Sequence, residues 1–407
     1  MIPLTDAQEY VLGRLTAGAV TATPRNDSLG LVTAEAIMSQ ENIPPFDNTA
    51  MDGFALRATD VAAITPGKPA ELQVVGTIAA GATGDMEVGP GQAARIMTGA
   101  PVPPGADAIV MVELTQLAAD EQTVSVVESV PVGNHIRAAG EDMQPGQVVF
   151  EPGTELRPGH LGVLCTLGIE SIATHGRPRV GVISTGDELV DGPQPLERGQ
   201  IRDSNRRTLL SMVAQTGAEP VDLGLIRDDE AAIEAGLVAG AESCDALITS
   251  GGVSMGDFDY VKMVLKRIAD MRWMQIAIKP AKPMAFGLLG DTPVFGLPGN
   301  PVSSMVSFEL FARPGIRKMM GFGADALHRP RLVGVAAEPL RRRSDGKTHF
   351  ARVEADWDAP LGAWAIRSAG GQGSHQLSAM AAANALAAIP DGDGLAVGDR
   401  AEIILFG

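Results

Sequence analysis

The period of hydrophobic and polar positions changes twice along the chain, and the changes mark its parts. At the start, Tyr10, Val11 and Leu15 form an apolar stripe at helical spacing behind Thr5-Asp6-Ala7-Gln8, which has the form of a capping box. Over residues 48–151 that period gives way to short strand-like pieces, "ARIM", "DAIVMVE", "TVSVVES" and "QVVF", separated by "TPGKP", "GPGQ" and "APVPPGAD". Many short strands with turn signals predict a small all-β module. "RPGHLGVLCTLGI" returns to helical spacing and is expected to pack with the first helix. The β-module is then an insertion in a helical region made of residues 1–47 and 152–176.

From residue 177 to 326 strands and helices alternate. "RVGVIS", "PVDLGLI", "DALITS" and "TPVFGL" read as strands. "DSNRRTLLSMVAQTG", "DDEAAIEAGLVAGA", "DFDYVKMVLKRIA" and "NPVSSMVSFELFA" read as helices. Gly217 lies just past the first of these, and Asn300 with Pro301 has the form of an N-cap followed by proline at the first helical position. The alternation predicts a doubly wound α/β domain with ligands at the carboxyl ends of its strands. Short strands return over residues 327–407 and predict a compact C-terminal β-domain. The fold class is therefore α/β plus β, in several domains, as a chain too long for one hydrophobic core requires.

Composition narrows the function. A formal net charge of −17 argues against nucleic acid and anionic membranes as partners. Arg341-Arg342-Arg343, the one basic cluster of note, reads as a solvated strand end or turn. "MIPLTDAQEY" has no basic region followed by an apolar core, so no signal peptide is expected, and no run is long enough to span a bilayer. Two cysteines far apart, Cys165 and Cys244, fit a reducing cytoplasm rather than a disulfide scaffold or thiolate metal site. The six histidines show no ligand spacing, and His349, near Lys347 and Arg352, is expected to be structural or anion-facing.

Three predicted strands run into turns of unusual chemistry: "TGDEL", "GGVSMGDFD" and "PGNP". None is a Walker A loop or a G-x-G-x-x-G fingerprint. In a parallel sheet such exits share one edge, so Ser250, Gly251, Gly252, Ser254, Pro298, Gly299, Asn300 and Pro301 are candidate substrate contacts. Glycines suit phosphate, but Asp187, Glu188, Asp257 and Asp259 repel it unless a divalent cation lies between. Mg²⁺ takes one or two carboxylates and completes its shell with phosphate oxygen and water, which makes it the expected cofactor and Glu188 and Asp259 its expected ligands. Lys279 and Lys282, in "IKPAKP", supply the local positive charge that an acidic chain needs for an anion.

Taken in order, "PPFDNTAMDGFAL", "RIMTGAPVPPGADAIV", "STGDEL", "DSN", "TSGGVSMGDFDY", "IKPAKPMAFG", "GLPGNPVS" and "GQGSHQLSAMAAANALAAIPDG" resemble the molybdopterin molybdenumtransferase family, which is similar to the E domain of gephyrin. The resemblance covers nearly the whole chain. It implies molybdenum cofactor biosynthesis by an enzyme, a molybdopterin molybdotransferase, that inserts molybdate into the dithiolene of adenylylated molybdopterin and releases AMP. It also implies an elongated homodimer, with the α/β domain of one subunit facing the first half of the other. The molybdopterin adenylyltransferase and recipient molybdoenzymes are further implied partners. Asp52, Thr98, Asp142, Glu188, Asp228 and Asp259 match catalytic positions, and Ser374 matches a substrate contact. Taken alone, Asp52 and Asp142 read as turn residues, and Asp228 and Asp229 as helix caps.

The chain departs from the family where members read K-P-G-K-P and Ala281 replaces the glycine. If that backbone needs positive φ, alanine is strained there; otherwise the loop is set differently. Thr49 stands where serine is common and keeps the hydroxyl. Two rival readings are an adenylyltransferase acting on free molybdopterin and ATP, and a non-enzymatic scaffold of the gephyrin kind. Stand-alone adenylyltransferases lack the large first half and the β-tail, and retention of Asp52, Asp142, Glu188 and Asp259 argues against a scaffold.

Overall fold

The computed structural model describes residues 1–252 and 260–406, and two compact units divide them. One comprises residues 1–35, 152–158 and 171–407; the other, residues 36–151 and 159–170.

In the first unit the chain starts with Ile2 bridging to Ile276, and helix α1 (Leu4–Gly13) follows at once. The expected capping box does not form. Pro3 occupies the cap position, Thr5 lies inside the helix, and Gln8 donates instead to Leu310 O at 2.9 Å. Leu310 belongs to a π-helical turn, Phe308–Ala312, and a buried carbonyl there needs a donor from elsewhere. The distant acceptor claims the side chain that local spacing reserved for the cap.

A six-stranded sheet forms the centre of this unit. Its strands are β1 (Arg179–Thr185), β2 (Glu219–Ile226), β3 (Ala246–Ser250), β4 (Asp270–Gln275), β5 (Pro283–Leu289) and β6 (Thr292–Leu297). Their spatial order is β2-β1-β3-β6-β5-β4. The first four are parallel, β5 joins antiparallel to β6, and β4 antiparallel to β5. β1, β3 and β6 are almost wholly buried and read as unbroken apolar runs, as central parallel strands do. Four of the helices expected from the pattern are present: α2 (Ser204–Thr216), α3 (Glu230–Ser243), α4 (Tyr260–Ile268) and α5 (Pro301–Ser307). Asp203 caps α2 by accepting from Arg206 N at 3.1 Å, and Gly217 ends it at φ +94°. β4 and β5 extend the alternating pattern with an antiparallel hairpin; only the "IKPAKP" end of it was read from the sequence.

Five strands of the C-terminal part, Thr348–Asp358, Ala363–Ser368, Arg331–Ala336, Arg400–Leu405 and Ala385–Ile389, close into a barrel, because the first also pairs with the last. Ile278–Lys279 lies parallel against the start of Thr348–Asp358. This pairing fixes the lysine stretch to the barrel wall.

The second unit contains a six-stranded sheet that includes Gly53–Leu56, Gln92–Ile96 and Ala108–Met111, over a core of Phe54, Leu56, Val110 and Val124. Residues 159–170 group with this unit rather than with the first helix, and His160 packs edge-on to Phe150. No helix among the described residues is long and apolar enough to cross a membrane.

Candidate active site

The strand order reverses between β1 and β3. From β1 the chain passes through α2 to β2 on one side, and the later strands build out on the other. A crevice opens at the carboxyl ends where neighbouring connections diverge. A cavity of about 800 Å³ lies there. Its wall holds Thr185, Gly186 and Glu188 after β1, Ser250, Gly251 and Gly252 after β3, and Pro298, Gly299, Asn300 and Pro301 after β6. Asp228 reaches the same cavity from the turn after β2. The structure thus brings together nine of the candidate substrate and catalytic residues: Glu188 and seven others that spacing had assigned to separate strand exits, and Asp228, which the resemblance supplied.

Glycine is required at two of these positions for stated reasons. Gly251 and Gly252 have φ of +99° and +78°, and a Cβ on Gly252 would lie 2.3 Å from the Cβ of Val261. The turn after β3 therefore keeps bare backbone toward the cavity. Ser254, Asp257 and Asp259 lie outside the described residues.

The paired aspartates after β2 take different tasks. Asp229 caps α3, accepting from Ala232 N at 2.8 Å, while Asp228 lines the cavity and its backbone N–H donates to Asp187 Oδ1 at 3.3 Å. Asn300 sits at the cap position of α5 with Pro301 next, but its side chain makes no capping bond and belongs to the cavity wall.

A buried ionic frame stands behind the cavity. Arg206 is clamped by Asp203, Asp191 and Asp222, with its side chain only 3% exposed. Burial works against its charge, but its hydrogen bonds to the three carboxylates more than offset this and raise its pKa above the ordinary value. Asp191 is held below the usual carboxylate range chiefly by its hydrogen bond from Arg206. Sequence reading missed this frame, since a "DSNRR" helix start gives no sign that one arginine turns inward.

A second cavity, of about 360 Å³, is lined by Lys279, Lys282, Ser303, Lys347, Gln372 and Ser374, and shares Pro283 with the first. Ser374 is thus brought to the lysines, and its carbonyl accepts from Val302 N at 3.1 Å. Lys279 and Lys282 are exposed. Between them Ala281 is 3% exposed with φ +74°. The backbone keeps the left-handed conformation, and alanine bears the strain. The fully buried Arg352 supports the wall by donating to Gly371 O and to Gly373 O at 3.2 Å.

In the basic cluster Arg341, at a strand end, and Arg343 are exposed as expected, and only the middle residue departs. Arg342 has a side chain 4% exposed, donating to Asp345, Asp391 and the carbonyls of Lys347, Ile389 and Pro390. Lys347, ahead of His349 and helped by it, holds Asp345 down to about 2. His349 bonds Asp345 through Nε2 at 3.1 Å, which makes its role structural.

Asp52, Thr98 and Asp142 belong to the second unit. Asp52 Oδ1 accepts from both the backbone N and Oγ1 of Thr98 at 2.7 Å, and these bonds, the backbone one first, lower its pKa. Asp142 is exposed on a turn, its N–H donating to Ile43 O at 3.0 Å. Thr49 uses its hydroxyl to donate to Met51 O at 2.6 Å.

Comparison with known proteins matches residues 2–168 to the MoeA N-terminal region (domain I and II), 181–318 to a probable molybdopterin binding domain, and 335–406 to the MoeA C-terminal region (domain IV). The chain is 38% identical to the molybdopterin molybdenumtransferase of Haemophilus influenzae over 94% of its length and 93% of the relative's. It is also 38% identical to molybdopterin molybdenumtransferase 2 of Mycobacterium tuberculosis, over 96% of each. The crystal structure of the molybdopterin biosynthesis moeA protein from Pyrococcus horikoshii superimposes with a TM-score of 0.84 at 28% identity, covering all of both chains. Three domain matches in order, and relatives matched nearly end to end, place this chain in the molybdopterin molybdenumtransferase family.

Proposed function

We propose that the chain is an enzyme of molybdenum cofactor biosynthesis that inserts molybdate into the dithiolene of molybdopterin, taking the pterin as its adenylylated form and releasing AMP. One observation carries the reading: two adjoining cavities of unlike chemistry at one end of the sheet. The larger, with bare glycine backbone and three acids, suits a phosphate-bearing pterin. The smaller, with Lys279, Lys282, Lys347 and hydroxyls from Ser303 and Ser374, suits a compact dianion such as molybdate.

Glycine N–H groups and the Ser250 hydroxyl would bind and orient the phosphates. The lysines would hold molybdate beside the pterin sulfurs, which converts an encounter of two anions into a positioned reaction. Glu188 and Asp228 present hard oxygen donors to the larger cavity, and two carboxylates suffice for Mg²⁺ when phosphate and water fill the remaining places. By the resemblance Glu188 and Asp259 would hold Mg²⁺, and the bound ion would polarise the phosphate that is cleaved. A cytoplasmic homodimer with a site shared between subunits completes the proposal. Mixing Asp52→Ala and Asp259→Ala subunits should restore activity in the heterodimer, and no gain over either parent would remove the shared site.

The direct experiment is AMP release from adenylylated molybdopterin, with molybdate and Mg²⁺ varied separately. Release that needs both supports the proposal. Consumption of ATP with free molybdopterin would favour the adenylyltransferase, and no turnover at all the scaffold.

A further inference from the structure

Asp203-Ser204-Asn205 carries part of the family resemblance, yet the proposed chemistry leaves it without a task. Its two polar ends touch three strand exits. Ser184 Oγ, at the end of β1, donates to Asp203 Oδ1 at 3.0 Å. Asn205 Nδ2 donates to Ser250 Oγ, at the end of β3, at 2.8 Å, and to Gly299 O, in the turn after β6, at 2.7 Å. β1, β3 and β6 are consecutive neighbours in the sheet, so these two residues span the whole back of the larger cavity. The anchor is rigid, because Asp203 is 7% exposed and tied to Arg206 Nε at 2.9 Å.

We infer that Asn205 is a positioning residue for molybdopterin: its amide group sets the separation of the Ser250–Gly252 and Pro298–Gly299 turns. It acts through its two N–H donors rather than by filling space. Both turns expose backbone to the cavity; Gly251 N–H donates to Leu297 O at 2.9 Å at their base, and beyond that bond Asn205 bridges Ser250 to Gly299. The inference rests on the reading of the larger cavity as the pterin site.

Asn205→Asp separates donors from bulk, since it keeps the shape and removes the amide. The Ser250 hydroxyl can rotate to donate to a carboxylate, but the Gly299 carbonyl can only repel one. Anaerobic binding of molybdopterin should weaken about tenfold or more in Asn205→Ala and in Asn205→Asp, as the loss of two hydrogen bonds implies. The effect should fall on KM, with kcat within about threefold and molybdate binding within about twofold of the parent. Combining Asn205→Ala with Ser250→Ala should cost less than the two losses multiplied, because the residues act as one unit. Parent-like molybdopterin binding by Asn205→Asp would overturn the inference, as would a parallel loss of molybdate binding and thermal stability. Gly299→Trp serves as control: a Cβ at Gly299 has no heavy atom nearer than 3.8 Å, so a side chain can start there without a clash, and an indole at this wall position should obstruct the cavity. If Gly299→Trp binds molybdopterin normally, the cavity assignment itself fails. If it abolishes binding while Asn205→Asp binds normally, only the role of Asn205 fails.

Discussion

The two cavities share a proline and little else. The larger is built from turns after four parallel strands, and its wall combines glycines at positive φ and a proline-glycine turn with three acids, Glu188, Asp203 and Asp228. The smaller is built where the β5 lead-in meets the barrel, and what faces its contents is side-chain charge. Rigidity comes from different sources as well. Behind the larger cavity stands a buried arginine with three carboxylates, whereas the lysine stretch is held by pairing of Ile278–Lys279 with the barrel and by a strained alanine. Backbone donors hold a ligand close and with little tolerance for displacement; lysines attract from farther away and release more easily when salt is added. That difference suits a large organic substrate on one side and a small oxyanion on the other.

The contrast can be broken at its ends, beginning where the effect is largest. Arg206→Met leaves Asp203 buried without its cation, so stability should fall by about 3–5 kcal/mol in denaturant unfolding. An unchanged midpoint would mean the frame bears no load. Glu188→Gln should raise the Mg²⁺ concentration needed for half-maximal AMP release by about 100-fold while molybdate affinity stays put. Lys282→Ala should weaken molybdate binding about tenfold, and the remaining affinity should depend less on ionic strength than in the parent. Equal salt slopes for the two proteins would remove the lysine from the site. Ala281→Gly should stabilise the fold by about 0.5–1 kcal/mol, the relief of left-handed strain less the added freedom of the unfolded chain. A lower melting midpoint for Ala281→Gly would show that the methyl group packs better than it strains.

The smallest effect is one of pH. Asp52 has a folded pKa below its unfolded value because Thr98 donates to its ionised form. Its contribution to stability is therefore present above the ordinary carboxylate pKa and is lost as pH falls through the depressed folded value. A carboxyl titration by NMR should find the Asp52 midpoint below that of an ordinary aspartate, and Thr98→Val, which leaves the backbone N–H bond in place, should raise it part of the way back.

How much of this was legible in the sequence follows from the range over which each feature is determined. The strand-and-helix alternation of the α/β domain is local, and it was readable down to the cap at Asp203 and the stop at Gly217. The strand exits were readable too, since short polar turns after buried strands must lie at one edge. The capping box failed because Gln8 answers a carbonyl in Leu310, far along the chain. Arg342 was taken for a solvated residue because nothing nearby in sequence announces the carbonyls of Ile389 and Pro390 that receive it. The latch at Asn205 depends likewise on partners 45 and 94 residues away. For Ala281 the sequence posed the question of its φ, and the backbone answers it at +74°. Asp259, on which the sequence reading placed most weight, lies outside the described residues, so its part rests on chemistry alone.

The division of labour between the two cavities is the central claim, and reciprocal binding tests it most directly. Molybdopterin and molybdate affinities should be measured separately, by anaerobic titration calorimetry, for the parent, Gly299→Trp and Lys282→Ala. The account predicts that Gly299→Trp loses molybdopterin binding and keeps molybdate, while Lys282→Ala weakens molybdate about tenfold and moves molybdopterin much less. Both variants losing both substrates together, or Gly299→Trp losing molybdate alone, would contradict it.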